Sequence, residues 1–155
     1  GRELYVSMLG NAPPRLLPVQ EIDFSRLPAD LPQIVSENAK WNPGTREYEA
    51  ISSVAVGPLP KAVHARVLEV AQRSYTLLDL WDYGRCDMRL SDDGTPYVIE
   101  MNPNCDLCDG AGFSRAAALG GLSYDQVIAE IAHAAYQRNA HVHGHGRRTN
   151  PGADD

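Results

Sequence analysis

Two strand-like stretches separated by Asp-Gly constrain this chain most. Tyr83-Gly84-Arg85-Cys86-Asp87-Met88-Arg89-Leu90 and Pro96-Tyr97-Val98-Ile99-Glu100-Met101-Asn102 flank Ser91-Asp92-Asp93-Gly94-Thr95. Asp-Gly between such runs predicts a β-hairpin. With Asp93-Gly94 as a two-residue loop, Asp92 pairs with Thr95, Leu90 with Tyr97, Asp87 with Glu100 and Arg85 with Asn102. Side chains alternate between the two faces of a strand. One face then carries Cys86, Met88, Leu90, Tyr97, Ile99 and Met101, all suited to a core. The other gathers Arg85, Asp87, Glu100 and Asn102 at the end of the hairpin away from its turn.

Two carboxylates directly opposite on a sheet repel each other. A divalent cation relieves that repulsion. Carboxylate and amide oxygens, without clustered thiolates or imidazoles, suit a hard ion such as Mg²⁺. Bound by one or two carboxylates, Mg²⁺ usually shares its shell with substrate phosphates. Arg85 adds a fixed cation for a phosphoryl group. The plainer alternative is a solvated hairpin face with a cross-strand Arg–Glu pair. The matched register and the backbone restriction of Asn102-Pro103 favour the site.

At 155 residues the chain is long enough for one domain with a real core. Hydrophobic content of 43% and charged content of 22% read as globular and soluble. A net charge of -6 argues against a general nucleic-acid binder, though a local cationic pocket remains compatible with it. No apolar run is long enough to span a bilayer, and no signal peptide is visible. Gly1 is followed almost at once by a strand pattern, so the chain is expected to be a piece of something longer. The three cysteines, Cys86, Cys105 and Cys108, are too few and too odd in number for a disulfide scaffold. Cys86 is expected in the core and Cys105 and Cys108 as free loop thiols, which fits a reducing cytoplasm.

Elsewhere, Glu3 to Leu9 reads as a strand, Gly10 to Pro14 as a turn region and Leu16 to Ile22 as a returning strand with an edge or bulge at Pro18. Asp23 to about Leu59 is proline-rich and expected to be irregular. Pro60 to Trp81 reads as a helix with Val63, Val67, Val70, Ala71, Ser74 and Leu78 on its core face. Pro103 to Gly112 reads as a loop and Phe113 to Leu119 as a short helix stopped by Gly120-Gly121. Ser123-Tyr124-Asp125-Gln126 is a capping box. It opens a last helix whose expected core face is Val127, Ile128, Ile131 and Ala135. The expected organisation is one α+β domain over residues 1–138, an antiparallel sheet with flanking helices. Residues 139–155 form a tail containing His141, His143 and His145. That tail is read as disordered, with a metal-binding histidine tract as the alternative.

The motifs together resemble a known family. Gly1-Arg2-Glu3-Leu4-Tyr5-Val6, Ala39-Lys40-Trp41, Gly84-Arg85-Cys86-Asp87 and Glu100-Met101-Asn102-Pro103-Asn104 follow in the order and rough spacing of D-alanine–D-alanine ligases. The chain, from Gly1 to about Tyr136, resembles the C-terminal part of such an ATP-grasp enzyme. The resemblance implies ATP-dependent joining of a carboxylate to an amine through an acyl phosphate, with ATP and Mg²⁺ (or Mn²⁺) as cofactors. It implies that Asp87, Glu100 and Asn102 hold the metal ions that bridge the ATP phosphates. It further implies that Arg85 stabilises the phosphoryl group and the later tetrahedral intermediate, that Lys40 reaches the terminal phosphate, and that Glu3 accepts hydrogen bonds from the ribose hydroxyls. The substrates are expected to be small amino acids or peptides, in the cytoplasm, with no nucleic-acid or membrane partner. A homodimer is compatible with this reading.

Three departures accompany the resemblance. The family's upstream nucleotide-binding lysines and adenine-contacting segment would precede Gly1, so little ligase activity is expected of the chain alone. The loop after Asn102 differs from the family pattern, which carries a serine near the acceptor carboxylate. Ser114 is a candidate to take the place of that serine, and amides around Gly110 and Gly112 are candidates to hold an oxyanion. Asp23 to Asn38 matches poorly, which leaves donor and acceptor open. A catalytically incomplete ATP-grasp-like module that binds a nucleotide or a partner is the alternative. It predicts loss of one of Arg85, Asp87, Glu100 or Asn102, and all four are present. A two-metal phosphohydrolase would need further metal ligands.

Overall fold

The computed structural model describes the backbone of residues 1–144 and the side chains of residues 1–139. Strands β1 (Arg2–Leu9), β2 (Arg15–Leu16) and β3 (Gln20–Asp23) come first. The short helices α1 (Glu37–Trp41) and α2 (Arg46–Ala50) and strand β4 (Ser52–Ala55) follow. Helix α3 (Lys61–Leu77) leads into β5 (Tyr83–Leu90) and β6 (Pro96–Asn102), and α4 (Gly112–Leu119) and α5 (Tyr124–Gly144) close the order. The sheet runs β4-β3-β1-β5-β6, with β2 also on β1, and every pairing is antiparallel.

Alternation along β1 and β5 divides the sheet into two unlike faces. Leu4, Val6 and Met8 of β1 and Cys86, Met88 and Leu90 of β5 point one way and are buried against Val67, Ala71 and Tyr75 of α3. The Val, Leu and Met side chains among them each contribute roughly 1.5–3 kcal/mol when fully withdrawn from water. At one end of the opposite face, Leu9 and Leu17 pack with Cys105, Phe113, Ala116, Ala117 and Val127. That second cluster docks α4 and α5. Between it and the far end, the face carries Glu3, Tyr5, Ser7, Arg85 and Asp87.

The hairpin departs from the expected turn in two ways that offset each other. Ser91 N–H donates to Thr95 O and Gly94 N–H to Ser91 O, so the loop has three residues, Asp92-Asp93-Gly94. Gly94 takes φ +82°, the left-handed position of such a loop. Leu90 therefore pairs with Pro96, not Tyr97. Between the pairs Met88–Val98 and Asp87–Glu100 the register shifts, and Ile99 is the extra residue of a bulge. Past it, Asp87 faces Glu100 and Arg85 faces Asn102. Tyr97 and Ile99, expected in the core, are 59% and 58% exposed.

Other expectations also need correction. The strand expected over Leu16 to Ile22 is two strands, interrupted around Pro18, which has no N–H for a ladder. The proline-rich stretch is not wholly irregular. Ser36 and Thr45 cap α1 and α2 by accepting from Ala39 N–H and Tyr48 N–H, and β4 adds an edge strand. Helix α3 ends at Leu77, before positive φ at Asp79 and Asp82, so Leu78 is exposed and Tyr75 takes the buried place. Cys105 is buried, while Cys108 is exposed as a loop thiol. The capping box forms: Ser123 N–H donates to Gln126 Oε1 and Gln126 N–H to Ser123 Oγ. The α5 core positions are Val127 and Ala134, with Ile131 packed beside them, and Ile128 faces out. Helix α5 runs to Gly144, past Asn139 where the composition changes. The side chains of His141 and His143, and all of His145 to Asp155, lie outside the described residues. Among the described residues, no helix is long and apolar enough to cross a membrane.

Gly94→Ala should destabilise the fold by about 1–2 kcal/mol, the cost of a left-handed non-glycine residue. The added Cβ would also meet Val63 Cγ2 at 2.9 Å. Urea denaturation measures this; an unchanged midpoint would contradict the three-residue turn.

Candidate functional site

The site face is built from odd-numbered residues of β1 and β5. Glu3 stands opposite Arg89, Tyr5 opposite Asp87 and Ser7 opposite Arg85. Arg85 and Asp87, two apart on one strand, share that face and join in a fork: Nε donates to Oδ1 at 2.6 Å and Nη2 to Oδ2 at 2.8 Å. The Arg85 guanidinium also lies 4.2 Å above the centre of the Tyr5 ring. Packing against Tyr5 and pairing with Asp87 leave this arginine little freedom. The Tyr5 hydroxyl donates to Glu3 Oε1 at 3.3 Å, and Arg89 Nη1 donates to Glu3 Oε2 at 3.2 Å and to Gln33 O at 2.9 Å.

Glu3, Lys40, Asp87 and Glu100, four of the residues singled out in the sequence, line one cleft of about 480 Å³. Ile34, Val35, Arg89 and Ile99 complete it. Its apolar members, Ile34, Val35 and Ile99, stand with a cluster of charge. Ile99 is the bulged residue of β6, so the irregularity that aligns the two acids also turns an aliphatic side chain into the cleft. Lys40 arrives from α1, held by its Ser36 cap.

Charge and burial act against each other here. Burial pushes the Asp87 carboxyl above its ordinary range, opposed by Arg85; the Glu100 charge adds to the rise and Lys40 opposes it. The Glu3 carboxyl is also raised, first by burial, with Arg89 opposing. The tyrosine hydroxyl of Tyr5 is raised strongly by burial and by the charges of Asp87 and Glu3. A site with two carboxylates raised in this way gains from added positive charge.

Among the described residues, no three or more His, Cys, Asp and Glu side chains converge as a metal cage. The oxygens the hairpin offers on this face are those of two facing carboxylates and the Asn102 amide, whose Oδ1 accepts from Asn104 N–H at 3.0 Å. Such a set fits Mg²⁺ that brings phosphate and water oxygens with it, and does not fit an ion needing a complete protein cage.

The loop from Pro103 to Ala111 joins this cluster to α4. Ser114, a sequence candidate, shares its hydroxyl hydrogen between Cys108 O at 2.8 Å and Ala111 O at 3.0 Å, which ties the loop to the helix. Gly112 starts α4 beside Arg85: a Cβ there would lie 3.6 Å from Nη1. Gly110 supplies a positive φ of 79° to the loop and has no neighbour within 4 Å of a built Cβ. Sequence reasoning missed Tyr5, Ser7, Gln20 and Arg89. The signal available was alternation, since Glu3, Tyr5 and Ser7 share a face, as do Arg85, Asp87 and Arg89.

Comparison with known proteins identifies the family of the chain. The family described as "D-ala D-ala ligase C-terminus" matches residues 1–133. The D-alanine–D-alanine ligase of Desulforudis audaxviator is 28% identical over 139 residues, covering 89% of this chain and 41% of the relative. That of Desulfotalea psychrophila is 29% identical over 128 residues, covering 83% of this chain and 37% of the relative. The fold matches the crystal structure of D-alanine–D-alanine ligase from Bacillus anthracis with a TM-score of 0.70 at 22% identity, over 92% of this chain and 41% of that one. The same enzyme complexed with ATP matches with a TM-score of 0.69 at 19% identity, over 92% of this chain and 40% of that one. The chain thus spans about two-fifths of the length of these relatives. By fold and by sequence, the chain belongs to the D-ala D-ala ligase C-terminus family, the C-terminal part of an ATP-grasp domain.

Proposed function

We propose that the complete protein carrying this chain is an ATP-dependent ligase that joins a carboxylate to an amine through an acyl phosphate. The observation that carries the reading is Asp87 held opposite Glu100 at the edge of a cleft that also holds Glu3 and Lys40. Residues 1–138 act as the C-terminal half of the site. Nucleotide contacts beyond those described here come from outside the chain. The substrates are small amino acids or peptides, and the cellular setting is the cytoplasm, where ATP is available and the three thiols stay reduced.

Each side chain then has a task. Asp87, Glu100 and the Asn102 amide oxygen hold the divalent ions, Mg²⁺ or Mn²⁺. When bound, those ions neutralise phosphate charge during an in-line transfer. Lys40 meets the terminal phosphate from the α1 side of the cleft. Glu3 accepts the ribose hydroxyls beside the aliphatic wall of Ile34, Val35 and Ile99. Arg85 uses two of its nitrogens on Asp87. Its third, Nη1, faces the start of α4 and is placed to receive the phosphoryl oxygens and then the oxyanion formed when the amine attacks. Gly112 contributes close backbone approach beside Nη1. No side-chain nucleophile is required, because positioning and charge neutralisation account for phosphoryl transfer.

Glu100→Gln, on an exposed side chain, should leave Tm within about 2 °C. Asp87→Asn should lower stability, since Arg85 loses its ionic partner, yet keep a folded circular-dichroism spectrum. Either change should lower Mg·ATP turnover by about 100-fold or more. Normal turnover by both variants at ordinary Mg²⁺ would end the reading.

Arg85→Lys removes the planar fork and its stacking on Tyr5. Steady-state kinetics should show a fall of about 10²–10³ in kcat with little change in KM for ATP. The 155-residue chain alone should release no phosphate from ATP and amino acids; enzyme-like rates from it would contradict the need for a second half-site.

A further inference from the structure

Arg89 is the one charged side chain lining the cleft to which the ligase reading gives no task. It stands opposite Glu3 on the adjacent strand. Its Nη1 has two hydrogens to donate. One goes to Glu3 Oε2 at 3.2 Å and the other to Gln33 O at 2.9 Å. The guanidinium also lies 5.8 Å from the centre of the Phe24 ring, at the outer edge of cation–π range. A single nitrogen on β5 thus joins two parts of the chain that are far apart in sequence.

Glu3 is the first of those parts. It is 6% exposed, and the Tyr5 hydroxyl holds its other oxygen. Burial raises this carboxyl, and the Arg89 charge opposes the rise. A carboxylate accepts hydrogen bonds at both oxygens only while ionised, since a protonated one turns an acceptor into a donor. Arg89 therefore keeps Glu3 an acceptor and fixes the direction in which its remaining lone pairs point.

The second part is the segment from Phe24 to Ile51, which carries Lys40. It is tied mainly to itself. Arg46 forks onto Asp30, Arg26 donates to Glu49 O, and Thr45 Oγ1 donates to Asn38 O. Helix α1, which bears Lys40, has no buried residue to anchor it. Among the described residues, the one hydrogen bond joining this segment to β1, β5 or β6 is the bond from Arg89 to Gln33 O.

We infer that Arg89 is a positioning residue for the nucleotide, holding Glu3 toward the ribose and fastening the Lys40 segment over the cleft. This rests on the ligase reading above. Arginine suits the task because its rigid guanidinium aims donors in fixed directions. The segment gains a firm attachment that does not depend on packing, and Glu3 and Lys40 are held relative to each other through one side chain.

Calorimetric titration of the complete protein with Mg·ADP and with the 2′,3′-dideoxy analogue reads the hold on Glu3 without any amino-acid substrate. ADP lacks the terminal phosphate assigned to Lys40, so the comparison isolates the ribose hydroxyls. The unaltered protein should bind ADP at least about tenfold tighter than the dideoxy nucleotide, the scale of a hydrogen bond to a charged group. Arg89→Met should bring that ratio to within about threefold, with dideoxy affinity changed by less than about twofold. Arg89→Lys keeps a cation beside Glu3 and should retain a ratio above about fivefold. Hydrogen–deuterium exchange reads the second attachment. Amides in residues 34–42 should exchange at least about fivefold faster in Arg89→Met, with those of β1 and β5 unchanged. An undiminished ribose preference in Arg89→Met would overturn the inference. Equal weakening of both nucleotides would overturn it too, because Arg89 would then touch the nucleotide itself or hold the whole fold. Unchanged exchange over residues 34–42 would remove the fastening. Failure of the unaltered protein to bind either nucleotide would overturn the ligase reading and this inference together, an outcome distinct from binding that ignores Arg89.

Discussion

Asp87 and Glu100 are two acids placed face to face on adjacent strands, and the rest of the structure keeps them there. Left alone, such a pair repels. A three-residue turn at one end of the hairpin and a one-residue bulge at Ile99 set the register that opposes them. Arg85 then grips Asp87 from the same strand and stacks on Tyr5 of the next. Stability and function pull apart at this point. Burial raises both Asp87 and Glu3 above their ordinary carboxyl range, so the face is costly to keep and poised to accept positive charge.

The sheet makes that arrangement affordable by dividing its labour between two sides. Helix α3 covers one side with an apolar layer that includes Val67, Ala71 and Tyr75. The other side is closed by α4 and α5 at one end only, around Phe113. Its middle stays polar. Because β1 and β5 are central and antiparallel, Glu3, Tyr5 and Ser7 run past Arg89, Asp87 and Arg85 in register. Glu3, opposite Arg89, and Ser7, opposite Arg85, mark the two ends of that polar run.

The opposed acids, the long helix and the capping box at Ser123 were legible in the sequence because each depends on local spacing. The turn was not read correctly. A two-residue loop and a three-residue loop both use Asp-Gly, and nothing about Ile99 marks it as a bulge, so two one-residue errors cancelled at Asp87 and Glu100. Tyr97 and Ile99 looked like core residues for the same reason. Helices α1 and α2 are five residues each, too short for a periodic pattern, although Ser36 and Thr45 carried cap signals. Gln20 was hidden inside a run read as one strand, which Pro18 breaks in two. The Arg89 bridge between Glu3 and Gln33 O is a tertiary fact that no spacing announces.

A structure of the complete protein with Mg²⁺ and a non-hydrolysable ATP analogue tests the central claim most directly. Metal is expected at about 2.0–2.1 Å from carboxylate oxygens of Asp87 and Glu100, with phosphate oxygens completing its shell. Metal and phosphates bound elsewhere on the sheet, or a hairpin whose register turns the two acids to opposite faces, would contradict it.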